Sequence, residues 1–178
     1  MKDIYVLRLS HRPARDKRVT THVVLVARAF GAKGVYIEGE DPNLISSVDK
    51  AIEIWGGKSY FKVETVKDGK SVVDLWREKG GLVIHLTMYG MHICKRIDEI
   101  SKIEKPMLVI VGSEKVDGWY YHNVDYNLAV GNQPHSEIAA LALFLDRLYK
   151  GRELYNTFED SRLKIIPQEV GKKVVKNG

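Results

Sequence analysis

The sequence predicts an α/β fold with a mainly parallel β-sheet and helices on both faces. Short apolar runs rich in β-branched and aromatic residues are typical of buried strands. They occur at Ile4–Leu9, Val35–Ile37, Tyr60–Val63, Leu82–Leu86, Met107–Val111 and Tyr126–Val130. Segments with helical spacing lie between them. This alternation indicates a parallel sheet, because each parallel strand needs a long crossover connection that is usually a helix.

Capping residues and glycines mark the predicted helices between the strands. These helices are Thr20–Phe30, Pro42–Trp55, Ser71–Lys79 and Ile93–Ile103. Asp41 is placed to cap the second helix, and a glycine follows each of the first three. The segment Thr87–His92 has the composition of a loop before the fourth helix.

A last helix, His135–Tyr149, has almost no polar stripe. A helix that is apolar on all sides must be covered on all sides. One side of the helix can pack on the sheet, and the simplest way to bury the other side is contact with a second subunit. We therefore expect a homodimer that depends on Leu141 and Leu145, with complete burial inside the monomer as the alternative.

Length and composition restrict the class of protein. The 178 residues fit one domain, predicted over residues 1–150, with a C-terminal extension over 151–178 that forms a strand or hairpin and a frayed basic end. There is no run of eighteen apolar residues and no signal-peptide pattern, so we expect a cytoplasmic protein that does not enter a membrane. A single cysteine, Cys94, excludes an internal disulfide and a Cys-rich zinc site.

Positive charge is concentrated near the N-terminus. The net charge is +5, and residues 11–18 contain four cations and one acid, including Arg12, Arg15 and Arg18. This pattern predicts a local patch that attracts anions, with a solvated basic loop as the alternative.

The turn after the first strand lacks the glycines of an ordinary dinucleotide-binding fold, since none occurs before Gly31. Three later segments follow predicted strands, where open α/β sheets form ligand crevices. They are Leu86–Gly90, Val111–Gly118 and Leu128–Ser136. Gly90, Gly112 and Gly131 would each let a flat ligand approach the backbone. Each alone is an ordinary turn, but together they predict a cofactor pocket.

Several motifs resemble those of the SPOUT RNA methyltransferases. Val109–Glu114 resembles their Gly-Ser/Thr-Glu loop, Asn132–Leu141 their last loop and Ala-rich helix, and Thr20–Ala32 the first motif of their ribose-methylating branch. Together with Arg-x-x-Arg-Asp-x-Arg-x-x-Thr-His, these motifs are similar to those of archaeal tRNA 2′-O-methyltransferases that modify cytidine 56. The similarity covers most of residues 1–150.

The resemblance implies a C-terminal trefoil knot, S-adenosylmethionine as cofactor, tRNA as substrate and an obligate homodimer. By position, the residues implied to bind the cofactor are Leu86, Thr87, Met88, Gly90, Gly112, Ser113, Glu114, Lys115, Val116, Leu128, Val130, Gly131 and Asn132. The adenine in such sites is held mainly by backbone groups. Glu114 is expected beside the cofactor or at the dimer interface.

Two positions depart from the ribose-methylating relatives. Leu25 stands where they carry a helical arginine, and Gln133-Pro-His135 replaces their Ser-Leu-Asn. We therefore expect the catalytic arginine to come from Arg12, Arg15 and Arg18, which would bind phosphate and position the ribose.

Methyl transfer from a sulfonium to a hydroxyl needs alignment of the nucleophile and loss of its proton. Arginine is a poor base, so His22 and His135 are the candidate bases, with structural or capping roles as the alternative. His85 is expected to be a core residue with satisfied hydrogen bonds. His85 and His92 lack a third ligand, so no metal site is predicted.

A non-catalytic RNA-binding module with a basic face is the alternative function. Such a module needs no convergent glycines and more often exposes aromatic side chains for base stacking. The one aromatic cluster, Trp119-Tyr120-Tyr121, would suit base stacking or a dimer interface, and we favour the interface.

Overall fold

The computed structural model describes residues 2–113 and 115–177, and its centre is a six-stranded parallel sheet. The strands are β1 (Ile4–Arg8), β2 (Gly34–Glu38), β3 (Lys62–Val66), β4 (Leu82–His92), β5 (Met107–Val111) and β6 (Tyr126–Ala129). Their order in the sheet is β3-β2-β1-β5-β4-β6. The predicted α/β class and parallel sheet are confirmed.

Helices cover both faces of this sheet, as predicted. They are α1 (Pro13–Ala29), α2 (Pro42–Trp55), α3 (Gly69–Glu78), α4 (Ile97–Lys102), α5 (Gly118–His122) and α6 (Glu137–Tyr149). One hydrophobic cluster joins the sheet to α1, α2, α4 and α6. A second cluster joins the opposite face to α3 and α5. The Asp41 side chain caps α2 by accepting a hydrogen bond from the Leu44 amide, 3.0 Å away.

The start of α1 differs from the prediction. The helix begins at Pro13 rather than Thr20, so the basic segment is helical and not a loop. Proline suits the first turn because its φ angle is already helical and that turn needs no N–H donor. Asp16 adds an acid to the same turn, where the helix dipole favours negative charge. Because charged residues are dense in this segment, the sequence pattern favoured a basic loop over the first turns of a helix.

The segment Thr87–His92, which the sequence indicated as a loop, forms the end of β4. The pairing of β4 with β6 shifts register between Leu86 and Met91. At Gly90 the backbones come so close that a β-carbon would lie 2.5 Å from atoms of Asn127 and Leu128. Glycine is therefore required there by strand packing.

Helix α6 is covered largely by its own subunit. Leu141 and Leu145 are completely buried within the monomer, which is the alternative that the sequence left open for these positions. The helix packs against α1, α4 and β4. Its outward face still exposes Leu143, which is 47% accessible.

The C-terminal extension contains a hairpin, and the basic end that the sequence indicated as frayed forms its second strand. Strands β7 (Leu163–Ile166) and β8 (Lys173–Lys176) pair antiparallel. The extension is attached to the rest of the subunit by Phe158, whose ring centroid lies 4.1 Å from the Arg28 guanidinium carbon. Asp160 also accepts a hydrogen bond from the Gly57 amide at 2.6 Å.

The strand order brings the C-terminal ends of β1, β5, β4 and β6 to one edge of the sheet. The segments that follow these strands therefore meet there. The trefoil knot stays a prediction from the resemblance, since strand order alone does not define how the chain is threaded.

Candidate active site

A cavity of about 480 Å³ opens where the strand-end segments meet. Eight residues predicted to bind the cofactor line it: Leu86, Thr87, Met88, Gly112, Ser113, Val116, Val130 and Gly131. The structure thus brings together residues from all three predicted segments. Their convergence follows from the parallel strands, whose C-terminal ends share one edge.

Four other predicted residues do not belong to the described lining of the cavity: Gly90, Lys115, Leu128 and Asn132. Leu128 is completely buried in the core. The Asn132 side-chain amide donates to the carbonyls of Met88, at 2.7 Å, and Gly90, at 3.1 Å. Asn132 therefore fixes the shape of the segment after Leu86 from outside the cavity. Glu114 lies outside the described residues.

The two glycines in the cavity wall serve different purposes. A β-carbon at Gly112 would collide with the Val116 side chain, so glycine lets this loop close on itself. Gly131 has a φ angle of +79°, a left-handed conformation that strains other residues, and it faces open space. Gly131 therefore leaves backbone accessible to a ligand, whereas the space beside Gly112 is taken by the Val116 side chain.

One wall of the cavity is charged. Arg12 forms a forked contact with Asp16, with Nε–Oδ2 and Nη2–Oδ1 distances of 2.8 and 3.1 Å. This bond from Arg12 lowers the pKa of the Asp16 carboxyl below its ordinary value. Arg15 lines the same wall and its side chain is exposed.

Arg8 is a residue of this wall that the sequence reasoning missed. It is 1% exposed; its Nη2 lies 3.2 Å from Glu137 Oε1, and its Nη1 donates to the Leu9 carbonyl at 2.9 Å. Its Nε has no hydrogen-bond partner within the part of the chain that the structure describes. Burial lowers the pKa of Arg8 from its ordinary value, and Glu137 opposes that shift. An arginine at the end of an otherwise apolar strand was the available signal.

Arg18 and His22 lie elsewhere, in a shallow depression along α1 and α2. Its lining consists of Ala14, Arg15, Lys17, Arg18, Thr21, His22 and Ser47. Arg15 lines both this depression and the main cavity. The two are therefore adjoining surfaces, with the basic residues of α1 extending outward from the cavity.

His135 lines the cavity, but both ring nitrogens face carbonyl oxygens. Nε2 is 2.6 Å from the Val130 oxygen and Nδ1 is 3.0 Å from the Ser136 oxygen. A ring nitrogen can bond a carbonyl oxygen only as a donor, and a neutral ring has a single N–H, so it can donate to one of these two oxygens. In this geometry His135 stabilises the turn before α6, and neither nitrogen is open to an incoming hydroxyl.

The wall opposite the charged residues is aromatic. Tyr89, His85 and Tyr121 line it, and the rings of His85 and Tyr121 meet edge to face with centroids 4.9 Å apart. His85 Nε2 lacks a partner among residues 2–113 and 115–177. The expectation that His85 is a satisfied core residue is therefore wrong. In the predicted aromatic cluster Tyr120 is buried and only Tyr121 reaches the cavity.

A second cavity, of about 820 Å³, lies at the opposite edge of the sheet. Lys2, Pro106 and Tyr149 are among its lining residues, beside the first residues of β1 and β5 and the end of α6. Ligand crevices of open α/β sheets form at the other edge. Within the described residues no group of three His, Cys, Asp or Glu side chains is arranged to hold a metal ion. None of the described helices combines the length and the hydropathy needed to span a membrane.

Solved methyltransferase structures share this fold. The TrmH/SpoU tRNA modifying enzyme of A. aeolicus superposes with a TM-score of 0.61 at 13% identity, covering 86% of this chain and 77% of that chain. The SpoU methyltransferase AviRb of Streptomyces viridochromogenes, solved with the cofactor AdoMet, gives a TM-score of 0.56 at 16% identity, covering 84% of this chain and 57% of that chain. The predicted fold family is confirmed.

Sequence comparisons are more specific. The tRNA (cytidine(56)-2′-O)-methyltransferase of Saccharolobus solfataricus is 64% identical over 160 residues, which are 90% of this chain and 100% of that protein. The enzyme of the same name from Sulfurisphaera tokodaii is 62% identical over 169 residues, or 95% of this chain and 99% of that protein. A family model described as "tRNA ribose 2′-O-methyltransferase, aTrm56" matches residues 55–175. The chain therefore belongs to the aTrm56 family of tRNA ribose 2′-O-methyltransferases.

Proposed function

We propose that this protein methylates the ribose 2′-hydroxyl of cytidine 56 in tRNA, with S-adenosylmethionine as the methyl donor, in the cytoplasm. The observation that carries the proposal is the cavity at the strand ends, whose charged wall adjoins a basic depression on α1. The names of the relatives supply the target nucleotide. A module that only binds RNA would not need this cavity with glycines in its wall.

The cavity residues fit S-adenosylmethionine. A volume of about 480 Å³ lies within the usual range of small-molecule sites. Gly131 exposes backbone to a flat group, while Leu86, Met88 and Val130 supply apolar contacts. When bound, the cofactor supplies an electrophilic methyl group on a sulfonium. The residues predicted to bind it are retained in this proposal, with Gly90, Leu128 and Asn132 supporting the loops.

The basic residues of α1 form the proposed path for tRNA. Arg18, Lys17 and His22 flank the shallow depression, and Arg15 connects it to the cavity. Phosphates in the depression would place one nucleotide at the cavity entrance. Arg12 is held by Asp16 in a fixed orientation, which suits it to position a ribose or phosphate oxygen.

The geometry favours Glu137 over the two histidines as the group that accepts the hydroxyl proton. His22 is in the depression, and both nitrogens of His135 face carbonyl oxygens. The Glu137 carboxylate lines the cavity and is 25% exposed while Arg8 holds one of its oxygens. Its remaining lone pairs can accept the proton of an incoming hydroxyl.

We further propose that the protein is a homodimer, with residues 1–150 as the methyltransferase domain and 151–178 as an extension. The outward face of α6 supports the dimer, because Ala139 and Leu143 are exposed on it while Leu141 and Leu145 fill the core. An exposed apolar helix face is a common subunit contact.

The proposed activity is tested by incubating tRNA transcripts with the protein and methyl-labelled S-adenosylmethionine. We expect label only on the ribose of cytidine 56, identified by mass spectrometry of nuclease fragments. A transcript with 2′-deoxycytidine at position 56 is the matched control and should remain unlabelled. Label on a base, label in the deoxy transcript, or binding without transfer would contradict the proposal.

The two parts of the basic surface should respond differently to mutation. Arg15→Ala should reduce the single-turnover rate at saturating tRNA by roughly ten- to a hundredfold, the scale of a charge-assisted hydrogen bond of about 1.5–3 kcal/mol. Arg18→Ala should raise the tRNA concentration needed for half saturation and leave the saturated rate unchanged. Arg77 is exposed on α3 and lines neither the cavity nor the depression, so Arg77→Ala removes the same charge elsewhere and serves as control. Equal saturated rates for Arg15→Ala and Arg77→Ala would refute the assignment of different roles to Arg15 and Arg18.

The dimer proposal predicts that Leu143→Glu yields folded monomers, because it places a charge in the proposed contact without disturbing the core. Leu75→Glu is a matched control, since Leu75 is 45% exposed on α3, which packs against the opposite face of the sheet. Analytical ultracentrifugation at micromolar concentration, with circular dichroism to check folding, measures both. Monomeric wild-type protein, or a dimer that survives Leu143→Glu, would exclude this interface.

A further inference from the structure

A chain of hydrogen bonds fixes the protonation of the His85 ring. The Asn127 side-chain nitrogen donates to the Tyr121 carbonyl oxygen at 2.8 Å, which orients the amide group. The Asn127 oxygen therefore faces His85 Nδ1, at a distance of 3.0 Å. An amide oxygen only accepts hydrogen bonds, so the proton lies on Nδ1. In the neutral ring, Nε2 then carries a lone pair.

Among the described residues, none donates a hydrogen bond to this lone pair. His85 Nε2 is buried and no described residue bonds to it, while the side chain is 1% exposed and lines the main cavity. Burial lowers the pKa of His85 below its ordinary value, more than the bond with Asn127 raises it. The ring therefore stays neutral near pH 7. A buried acceptor without a donor costs free energy, and a ligand in the cavity would relieve that cost.

The side of the cavity on which His85 lies indicates which ligand supplies the donor. Ile84 and Leu86, the neighbours of His85 in β4, pack in the hydrophobic cluster that includes α1 and α6. Successive side chains of a strand point to opposite faces, so His85 points to the other face of the sheet. There it meets Tyr121 of α5. The basic residues that would attract RNA belong to α1. His85 is thus on the side of the cavity away from the proposed tRNA path.

We propose that His85 recognises the cofactor, its Nε2 accepting a hydrogen bond from the adenosine half of S-adenosylmethionine. The donor is a ribose hydroxyl or the adenine amino group, the N–H and O–H groups of that half. Asn127 and Tyr121 are positioning residues that keep the acceptor form of the ring. The inference rests on the proposed function, because it needs S-adenosylmethionine in this cavity.

The test is calorimetric binding of S-adenosylhomocysteine and three analogues, which lack the 2′-hydroxyl, the 3′-hydroxyl or the adenine amino group. Wild-type protein should lose about tenfold in affinity for one analogue, the scale of a single hydrogen bond. His85→Phe should bind S-adenosylhomocysteine about tenfold more weakly and should not discriminate against that analogue. This double-mutant comparison isolates the pair.

Two further variants separate recognition from packing. His85→Gln keeps an acceptor near the position of Nε2 and should restore part of the affinity and of the discrimination. His122→Phe makes the same replacement at an exposed position of α5 and should bind like wild type. If His85→Phe does not fold, the analogue series is measured on wild-type protein and His85→Gln alone. Equal wild-type affinities for S-adenosylhomocysteine and all three analogues would then overturn the proposal.

The remaining outcomes are also decisive. Wild-type affinity in folded His85→Phe overturns the proposal. If that variant binds the cofactor normally but transfers methyl slowly, the donor belongs to the RNA and the assignment to the cofactor is wrong. If wild-type protein binds neither S-adenosylmethionine nor S-adenosylhomocysteine, the proposed function itself fails.

Discussion

The close approach of β4 and β6 at Gly90 is the constraint on which the cavity depends. A β-carbon there would lie 2.5 Å from the backbone of Asn127 and Leu128, so any other residue would separate the strands. Because the strands meet again after the register shift, Thr87–Tyr89 is held at the cavity wall between two paired regions. Asn132 reinforces this arrangement from the next segment by bonding the Met88 and Gly90 carbonyls.

The same arrangement places chemically different groups on opposite sides of one cavity. The His85 side chain lies on the face of the sheet that α5 covers, where it contacts Tyr121. Arg8 lies on the face that α1 and α6 cover, where it pairs with Glu137 at the start of α6. The charged wall suits a polyanionic substrate, and the aromatic wall suits a nucleoside. A single sheet edge can thus distinguish two ligands through the alternation of side chains along its strands.

Much of this architecture could be predicted from local signals. The strand Met107–Val111 and the helix Pro42–Trp55 have the predicted bounds, since continuous apolar residues mark one and the Asp41 cap marks the other. The meeting of the three glycine-containing segments followed from parallel topology. Residue types and periodicity were sufficient for these features because each depends on neighbours in the chain or on one rule of sheet geometry.

Features that depend on distant partners could not be predicted in this way. Gly90 was attributed to ligand contact, but its requirement comes from the backbone of β6. His85 was expected to have satisfied hydrogen bonds, but Asn127 bonds only its Nδ1, and no donor to its Nε2 occurs in the part of the chain that the structure describes. Leu141 looked available for a partner until the packing of α6 against α1 and α4 was known. In each case the deciding atom belongs to a segment remote in sequence.

The central claim, that the cofactor lies against the glycine backbone of the cavity wall, is tested most directly at Gly131. A β-carbon there would meet nothing within 4 Å, so the methyl group of Gly131→Ala would occupy open space at the cavity wall. Gly151→Ala is the matched control, because the φ angles of the two glycines are +79° and +77° and Gly151 is not among the residues that line the cavity. Calorimetric affinity for S-adenosylmethionine should fall at least about tenfold in Gly131→Ala and stay at the wild-type value in Gly151→Ala. Wild-type affinity in a folded Gly131→Ala variant would contradict this placement of the cofactor.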